Sequence, residues 1–270
     1  MPPRSYLFVP GDRPDRIDKA LCSGADAVIV DLEDAVAPPD KDRARDALAA
    51  WLGSAAARGV IVRVNAANKG WFADDLRLCA HPAVVGVVVP KAEDAEVLGA
   101  VAAVATGKAV LPLIETAVGF EVMRALAGAP AVQRLLFGSI DFQADLGIEG
   151  DDDALLAFRS RFVLVSRLAG LTAPVDGVTT ALGDDAAVEH DTARARRLGF
   201  GAKLCIHPRQ VAVVNRGFLP GAAEIDWARR VLDAAEAAGG AAVAVDGRMV
   251  DAPVLLRARR VLALAAQPAL

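Results

Sequence analysis

Two acids, Glu115 and Asp141, each follow a short apolar run. Glu115 closes Ala109-Val-Leu-Pro-Leu-Ile114, and Asp141 closes Leu135-Leu-Phe-Gly-Ser-Ile140. A helical pattern comes after each. In a parallel α/β fold, side chains at such strand ends emerge at the carboxyl edge of the sheet, where these folds place their chemistry. Two carboxylates there, with no Cys or His nearby in sequence, suit a hard cation such as Mg²⁺. Water and substrate oxygens would complete its shell, and the ion would orient and polarise a bound substrate. For either acid taken alone, an N-cap or a solvated loop residue is the plainer reading.

Further charges stand near strand ends. Arg63 lies inside Val60-Ile-Val-Arg-Val64, where an unpaired guanidinium would be costly. It needs either a substrate carboxylate, which it could grip with its planar fork, or a salt bridge to Glu33 or Asp31. Asp31, Glu33 and Asp34 cluster after another apolar run; close carboxylates shift one another's pKa and can order metal-bound water. Glu33 and Asp34 read as neighbours of the chemistry, Asp31 as structural. Pro10-Gly11-Asp12-Arg13 follows the first run, and its glycine permits close backbone approach. Arg13 and Arg16 could meet phosphates, or could simply be solvated. Lys91 and Lys203 also stand at run ends, in reach of acids or phosphates. His207 reads as a loop-shaping residue.

The elements that would position these residues are legible. Apolar runs at Tyr6–Val9, Ala27–Val30, Val60–Val64, Val85–Val89, Val110–Ile114, Leu135–Phe137, Pro174–Val178 and Ala202–Ile206 lack polar alternation, as strands buried on both faces do. Amphipathic stretches separate them: Ala44, Ala47, Leu48 and Trp51 share a helix face, as do Val97, Leu98, Val101 and Val104. Asp184 and Asp185 would open a helix that Gly199 ends. Eight strand–helix units predict a (β/α)₈ TIM barrel over 1–217. Neither a dinucleotide fingerprint nor a phosphate loop follows any strand. Residues 218–270 read as an extension: a helix over about Ala222–Ala238, a hairpin in 241–250 turning at Asp246-Gly247, and a helix from Pro253. Such a tail could cover its own barrel or reach over a neighbour as a lid.

Composition narrows the classes. The chain has 270 residues, 54% of them hydrophobic, and a net charge of −4 without a basic stripe, which argues against nucleic acid. The start does not read as a signal peptide, and no apolar stretch reaches membrane-span length. Three scattered cysteines fit a reduced, cytoplasmic chain. Three histidines at no ligand spacing argue against zinc.

Taken in order, Arg4-Ser-Tyr-Leu-Phe-Val-Pro-Gly-Asp-Arg-Pro14, Asp31-Leu-Glu-Asp-Ala-Val36, Val62-Arg-Val-Asn65, Val89-Pro-Lys91, Leu113-Ile-Glu-Thr116, Phe137-Gly-Ser-Ile-Asp141, Ile206-His-Pro208 and Asp246-Gly-Arg-Met-Val-Asp-Ala-Pro253 resemble the citrate lyase β-subunit-like family of the HpcH/HpaI aldolase superfamily. The resemblance spans nearly the whole chain. It implies a TIM barrel, Mg²⁺ on Glu115 and Asp141, a homo-oligomer (trimer or hexamer), and cleavage or formation of a C–C bond in a hydroxyacyl thioester. The expected activity is that of a lyase producing an acyl-CoA and a 2-oxo acid. Arg63 would then bind substrate, and Pro10, Gly11, Arg16 and Lys91 would line the thioester's path. The resemblance further implies that Asp251, in Met249-Val-Asp251-Ala-Pro253, enters a neighbouring subunit's site as acid/base; by itself the position reads equally as an N-cap. Where many members carry Gly-Ala-Glu-Asp, this chain has Gly138-Ser-Ile-Asp141, so the pocket is less acidic and a citryl thioester fits less well. A pyruvate-type class II aldolase acting without thioester is the alternative enzyme, but those relatives use an early histidine and the first here is His81. A non-catalytic, metabolite-binding barrel subunit is the other alternative.

Overall fold

The computed structural model describes residues 2–237 and 243–266. Ala238, together with Ala241 and Ala242 of the expected hairpin run, lies outside the described residues, as do Met1 and 267–270. Eight parallel strands close into a barrel in chain order, β8 pairing with β1. They are β1 Ser5–Pro10, β2 Ala27–Asp31, β3 Val60–Arg63, β4 Val84–Val89, β5 Ala109–Ile114, β6 Leu136–Phe137, β7 Val175–Asp176 and β8 Ala202–Cys205. The connecting helices are α1 Pro14–Leu21, α2 Lys41–Leu52, α3 Phe72–Leu78, α4 Ala95–Val104, α5 Ala117–Glu121, α6 Met123–Ala127, α7 Ser139–Leu146, α8 Asp152–Leu168, α9 Asp185–Leu198 and α10 Pro208–Gly217. The protein is an α/β TIM barrel.

The unbroken apolar runs have a simple cause. Tyr6, Ile29, Ile61, Val88, Leu111 and Leu136 fill the barrel interior. Their strand neighbours Leu7, Val28, Val62 and Val87 are equally buried on the outer side. Each fully buried Val or Leu contributes about 1.5–3 kcal/mol. Helix ends follow their sequence signals: Asp184 caps α9 by accepting from Ala187 N, and Gly199 ends it at φ +101°. Leu98 and Val101 of α4 are buried as expected, whereas Val104 is exposed and Ala105, the next residue, is buried in its place.

Two further charge arrangements are buried, one at the amino ends of the strands and one on the outer side of the barrel. At the amino ends of the strands, Arg134 donates to the carbonyls of Pro3 and Ala173 and to the Tyr6 hydroxyl, and its guanidinium covers the Tyr6 ring. On the outer side, Arg159 of α8 pairs with Asp176 of β7 at 2.9 Å and Arg194 of α9 with Asp151 at 3.1 Å. Lys203 belongs to this outer set. Its neighbours Ala202 and Leu204 point into the barrel, so its own side chain points outward, buried, and donates to the Gly177 carbonyl at 2.6 Å. Lys203 does meet an acid, its ammonium lying 4.0 Å from Asp191 Oδ2, but strand alternation turns it outward, so the expected place among the strand-end acids and phosphates is corrected.

The chain separates into two compact units, one ending at Asn215 and one beginning at Arg216. In the second, α11 (Ala222–Ala237) packs against α12 (Ala252–Ala265), with Ala228, Val231, Ala258 and Val261 buried between them. The hairpin of β9 (Val243–Val245) and β10 (Arg248–Val250) turns at Asp246-Gly247, both in the left-handed region that a two-residue turn requires. No helix among the described residues is long and apolar enough to cross a membrane.

Candidate active site

The carboxyl rim of β2 to β5 gathers the expected charges. Glu115 follows β5 directly and is 1% exposed. Its Oε1 accepts the Lys91 main-chain N–H at 2.8 Å, while Oε2 is buried without a hydrogen-bond partner. Burial, joined by the charge of nearby Glu33, pushes its carboxyl up to about 8. Lys91 follows Pro90 after β4, in the left-handed region at φ +45°. Its ammonium donates to Glu33 Oε1 at 2.7 Å and lies 3.6 Å from Glu115 Oε1.

Arg63, the last residue of β3, is turned onto Asp31, with Nε and Nη2 reaching the two carboxylate oxygens at 2.7 and 2.6 Å. Nη1 lies 2.9 Å from Glu33 Oε2, an ion pair without hydrogen-bond alignment. It is 3.7 Å from Asp34, which is exposed. Burial works against the guanidinium's charge, but Asp31 and Glu33 outweigh it and hold the charge firmly. Of the two partners the strand arginine could take, the structure supplies the salt bridge to Asp31 and Glu33. Burial likewise raises the Glu33 carboxyl.

Asp141 departs from its expected position. β6 ends at Phe137, helix α7 begins at Ser139, and Asp141 stands exposed in its first turn rather than at a strand end. The strand is short because β7 pairs with it only at Leu136–Val175. The helix N-terminus favours the carboxylate there. Its charge is close enough to raise the Glu115 carboxyl.

The rim after β1 is built for close packing. Gly11 donates to Asp31 O at 2.8 Å, and a Cβ on it would fall 2.6 Å from Leu32 Cδ2. Pro10 is half-buried and Arg16 exposed, while Arg13 pairs with Asp15. A cleft open to solvent borders Lys91 between Asn68, Ala92 and Asp94. Asp251, in the second unit, caps α12 by accepting from Val254 N at 3.1 Å.

Three supporting residues carry no sequence signal for their role. Lys41 looks like a solvated helix lysine, yet it is buried and donates to Leu32 O and Glu33 O, fixing the loop that carries Glu33. Asn65, within the Val62–Asn65 segment, donates to Leu32 O at 3.0 Å and Asp75 at 2.6 Å. Gly138 makes room for Glu115.

The chain and its barrel have close counterparts. The 40% identical citrate lyase subunit beta-like protein of Deinococcus radiodurans aligns over 96% of both chains. The (3S)-malyl-CoA thioesterase of Cereibacter sphaeroides is 35% identical over 98% of this chain and 95% of its own. The crystal structure of CitE from Mycobacterium tuberculosis in complex with magnesium, acetoacetate and coenzyme A superposes with a TM-score of 0.87, at 33% identity over 98% of both chains. The family model described as HpcH/HpaI aldolase/citrate lyase matches residues 4–208, from the arginine before β1 to the proline after β8. With sequence and barrel in agreement, this chain belongs to the HpcH/HpaI aldolase/citrate lyase family.

Proposed function

We propose that the protein is a Mg²⁺-dependent carbon–carbon lyase that cleaves, or forms, a short β-hydroxyacyl-CoA thioester, the other product being a 2-oxo acid. The observation that carries this reading is Glu115 Oε2, a buried carboxylate oxygen without a partner, on a residue whose other oxygen is fixed by the Lys91 amide. A buried carboxylate in that state is either protonated or matched by a cation. Glu115 and Asp141 would hold the ion, an all-oxygen set suited to Mg²⁺. Bound there, Mg²⁺ supplies a Lewis acid for the oxo-acid oxygens. The CitE complex with magnesium, acetoacetate and coenzyme A supports the same ligand classes here.

This chain's residues take the remaining roles. Arg63 and Lys91 give the oxo-acid carboxylate positive surroundings, and Glu33 and Asp34 set their charge balance. Arg16, with Pro10 and Gly11 shaping the loop after β1, would meet the coenzyme A phosphates. Asp251 of a neighbouring subunit in a homo-oligomer, a trimer or hexamer, would take the β-hydroxyl proton. The Cα–Cβ bond would then break as the β-oxygen closes the carbonyl of the oxo acid, its electron pair passing to the thioester as an enolate, and return of the proton from Asp251 to that carbon would complete the acyl-CoA.

A second reading has one observation in its favour, the 35% identical relative named a (3S)-malyl-CoA thioesterase. Water would then cleave the thioester and release the coenzyme A thiol. Incubation with Mg²⁺ and a panel of β-hydroxyacyl-CoA esters separates the two. Lyase action yields a 2-oxo acid and no free thiol; hydrolysis yields the thiol. If neither product forms from any ester of the panel, the catalytic proposal is wrong.

A further inference from the structure

We propose that Lys91 sets the ion's carboxylate count, and hence its selectivity, by withholding Glu33. The inference rests on Glu115 and Asp141 being the metal ligands.

One ammonium lies within 4 Å of two buried acids: Lys91 Nζ is 2.7 Å from Glu33 Oε1 and 3.6 Å from Glu115 Oε1. Glu33 is therefore a further carboxylate beside Glu115, one of the two proposed ligands. Mg²⁺ sites work with one or two carboxylates and leave positions for water and substrate, whereas more carboxylates and a looser shell suit Ca²⁺. A free Glu33 would take a position that a substrate oxygen needs. Both its oxygens instead face cations, Oε1 the Lys91 ammonium and Oε2 the Arg63 guanidinium at 2.9 Å. Arg63 is hydrogen-bonded to both oxygens of Asp31, so the cation hydrogen-bonded to the Glu33 carboxylate is Lys91.

The backbone agrees. A glycine would take φ +45° without strain, and its amide would still reach Glu115. What lysine adds at this position is the ammonium.

Calorimetric titration with Mg²⁺ and with Ca²⁺ tests this in wild type, Lys91→Met, Lys91→Gly, and each variant combined with Glu33→Gln. Both single variants should bind more tightly, by about tenfold, the scale of a charge change a few ångströms away in a partly solvated site, with Ca²⁺ gaining more than Mg²⁺. Adding Glu33→Gln should cancel the gain. A merely structural lysine would give the opposite sign, since loss of order weakens binding. Unchanged or weaker binding in both variants overturns the proposal, and so does a gain that survives Glu33→Gln. Glu115→Gln is titrated alongside: if it binds Mg²⁺ as wild type does, the metal assignment is at fault rather than the role of Lys91.

Discussion

Gly138 lies so close to Glu115 that it has no room for a methyl group: a Cβ there would fall 2.5 Å from Oε2 and 2.6 Å from the Cβ of Glu115. Gly138→Ala must therefore displace the carboxylate. It should lower Mg²⁺ affinity at least about tenfold while leaving the circular dichroism spectrum native, since misplaced site geometry is costly well before the fold is lost. Asp141→Ala, at an exposed position in the first turn of α7, should lose Mg²⁺ binding with only a small drop in Tm. Wild-type affinity in both would remove Glu115 and Asp141 from the metal site.

Glu115 should leave a mark on the pH dependence of stability. Its carboxyl is raised from 4.5 to about 8, first by burial and then by Glu33. For an acid raised on folding, the stabilisation is complete below the unfolded value of 4.5 and is lost as pH climbs through about 8. Without divalent ions, Glu115→Gln should match wild type near the acid end. It should exceed wild type by a few kcal/mol, on the order of what several pKa units imply, above pH 8. Excess Mg²⁺ should shrink that gap, because it binds only the charged carboxylate. Parallel Tm curves for the two proteins across this range, in EDTA, would contradict the assignment.

Arg63 has two candidate duties that one substitution can separate. Arg63→Lys loses the two-point grip on Asp31 and should cost about 1–3 kcal/mol of stability. If Arg63 also meets the oxo-acid carboxylate, KM for the oxo acid in the synthetic direction should rise at least about tenfold. A lower Tm with an unchanged KM would leave Arg63 a structural partner of Asp31 and nothing more.

Asp251 caps its own helix, and the proposed acid/base role places it in another subunit's site. Asp251→Ala and Glu115→Ala chains should each be inactive. Mixed and reassembled, they should regain part of the activity, because some sites then receive both intact residues. No recovery, with subunit exchange verified by mass, would confine Asp251 to its cap.

The barrel was legible because each strand is buried on both faces, so its run is apolar without alternation. The hairpin was legible because Asp246-Gly247 meets a backbone demand that few other pairs satisfy. What sequence hides is direction and distance. Lys203 reads like a rim residue, yet strand alternation turns it outward. Asp141 reads like a strand end, yet β6 stops early and a helix takes over. The partnership of Lys41 with the Glu33 loop, and that of Gly138 with Glu115, exist only once β2, β5 and β6 are brought to one rim. Arg63 left two partners open, and only the register that sets Asp31 beside it identifies one.

Arg134 gives the barrel a floor. With that guanidinium spread over Pro3, Ala173 and Tyr6 at the amino ends, and apolar side chains filling the bore above it, the vessel has a single mouth. Ligands bound near Glu115 can then enter and leave only by the carboxyl rim. If the coenzyme A moiety spans that mouth, cleavage should release the acyl-CoA before the oxo acid. Synthesis should admit the oxo acid before the thioester, an order that product-inhibition patterns would display.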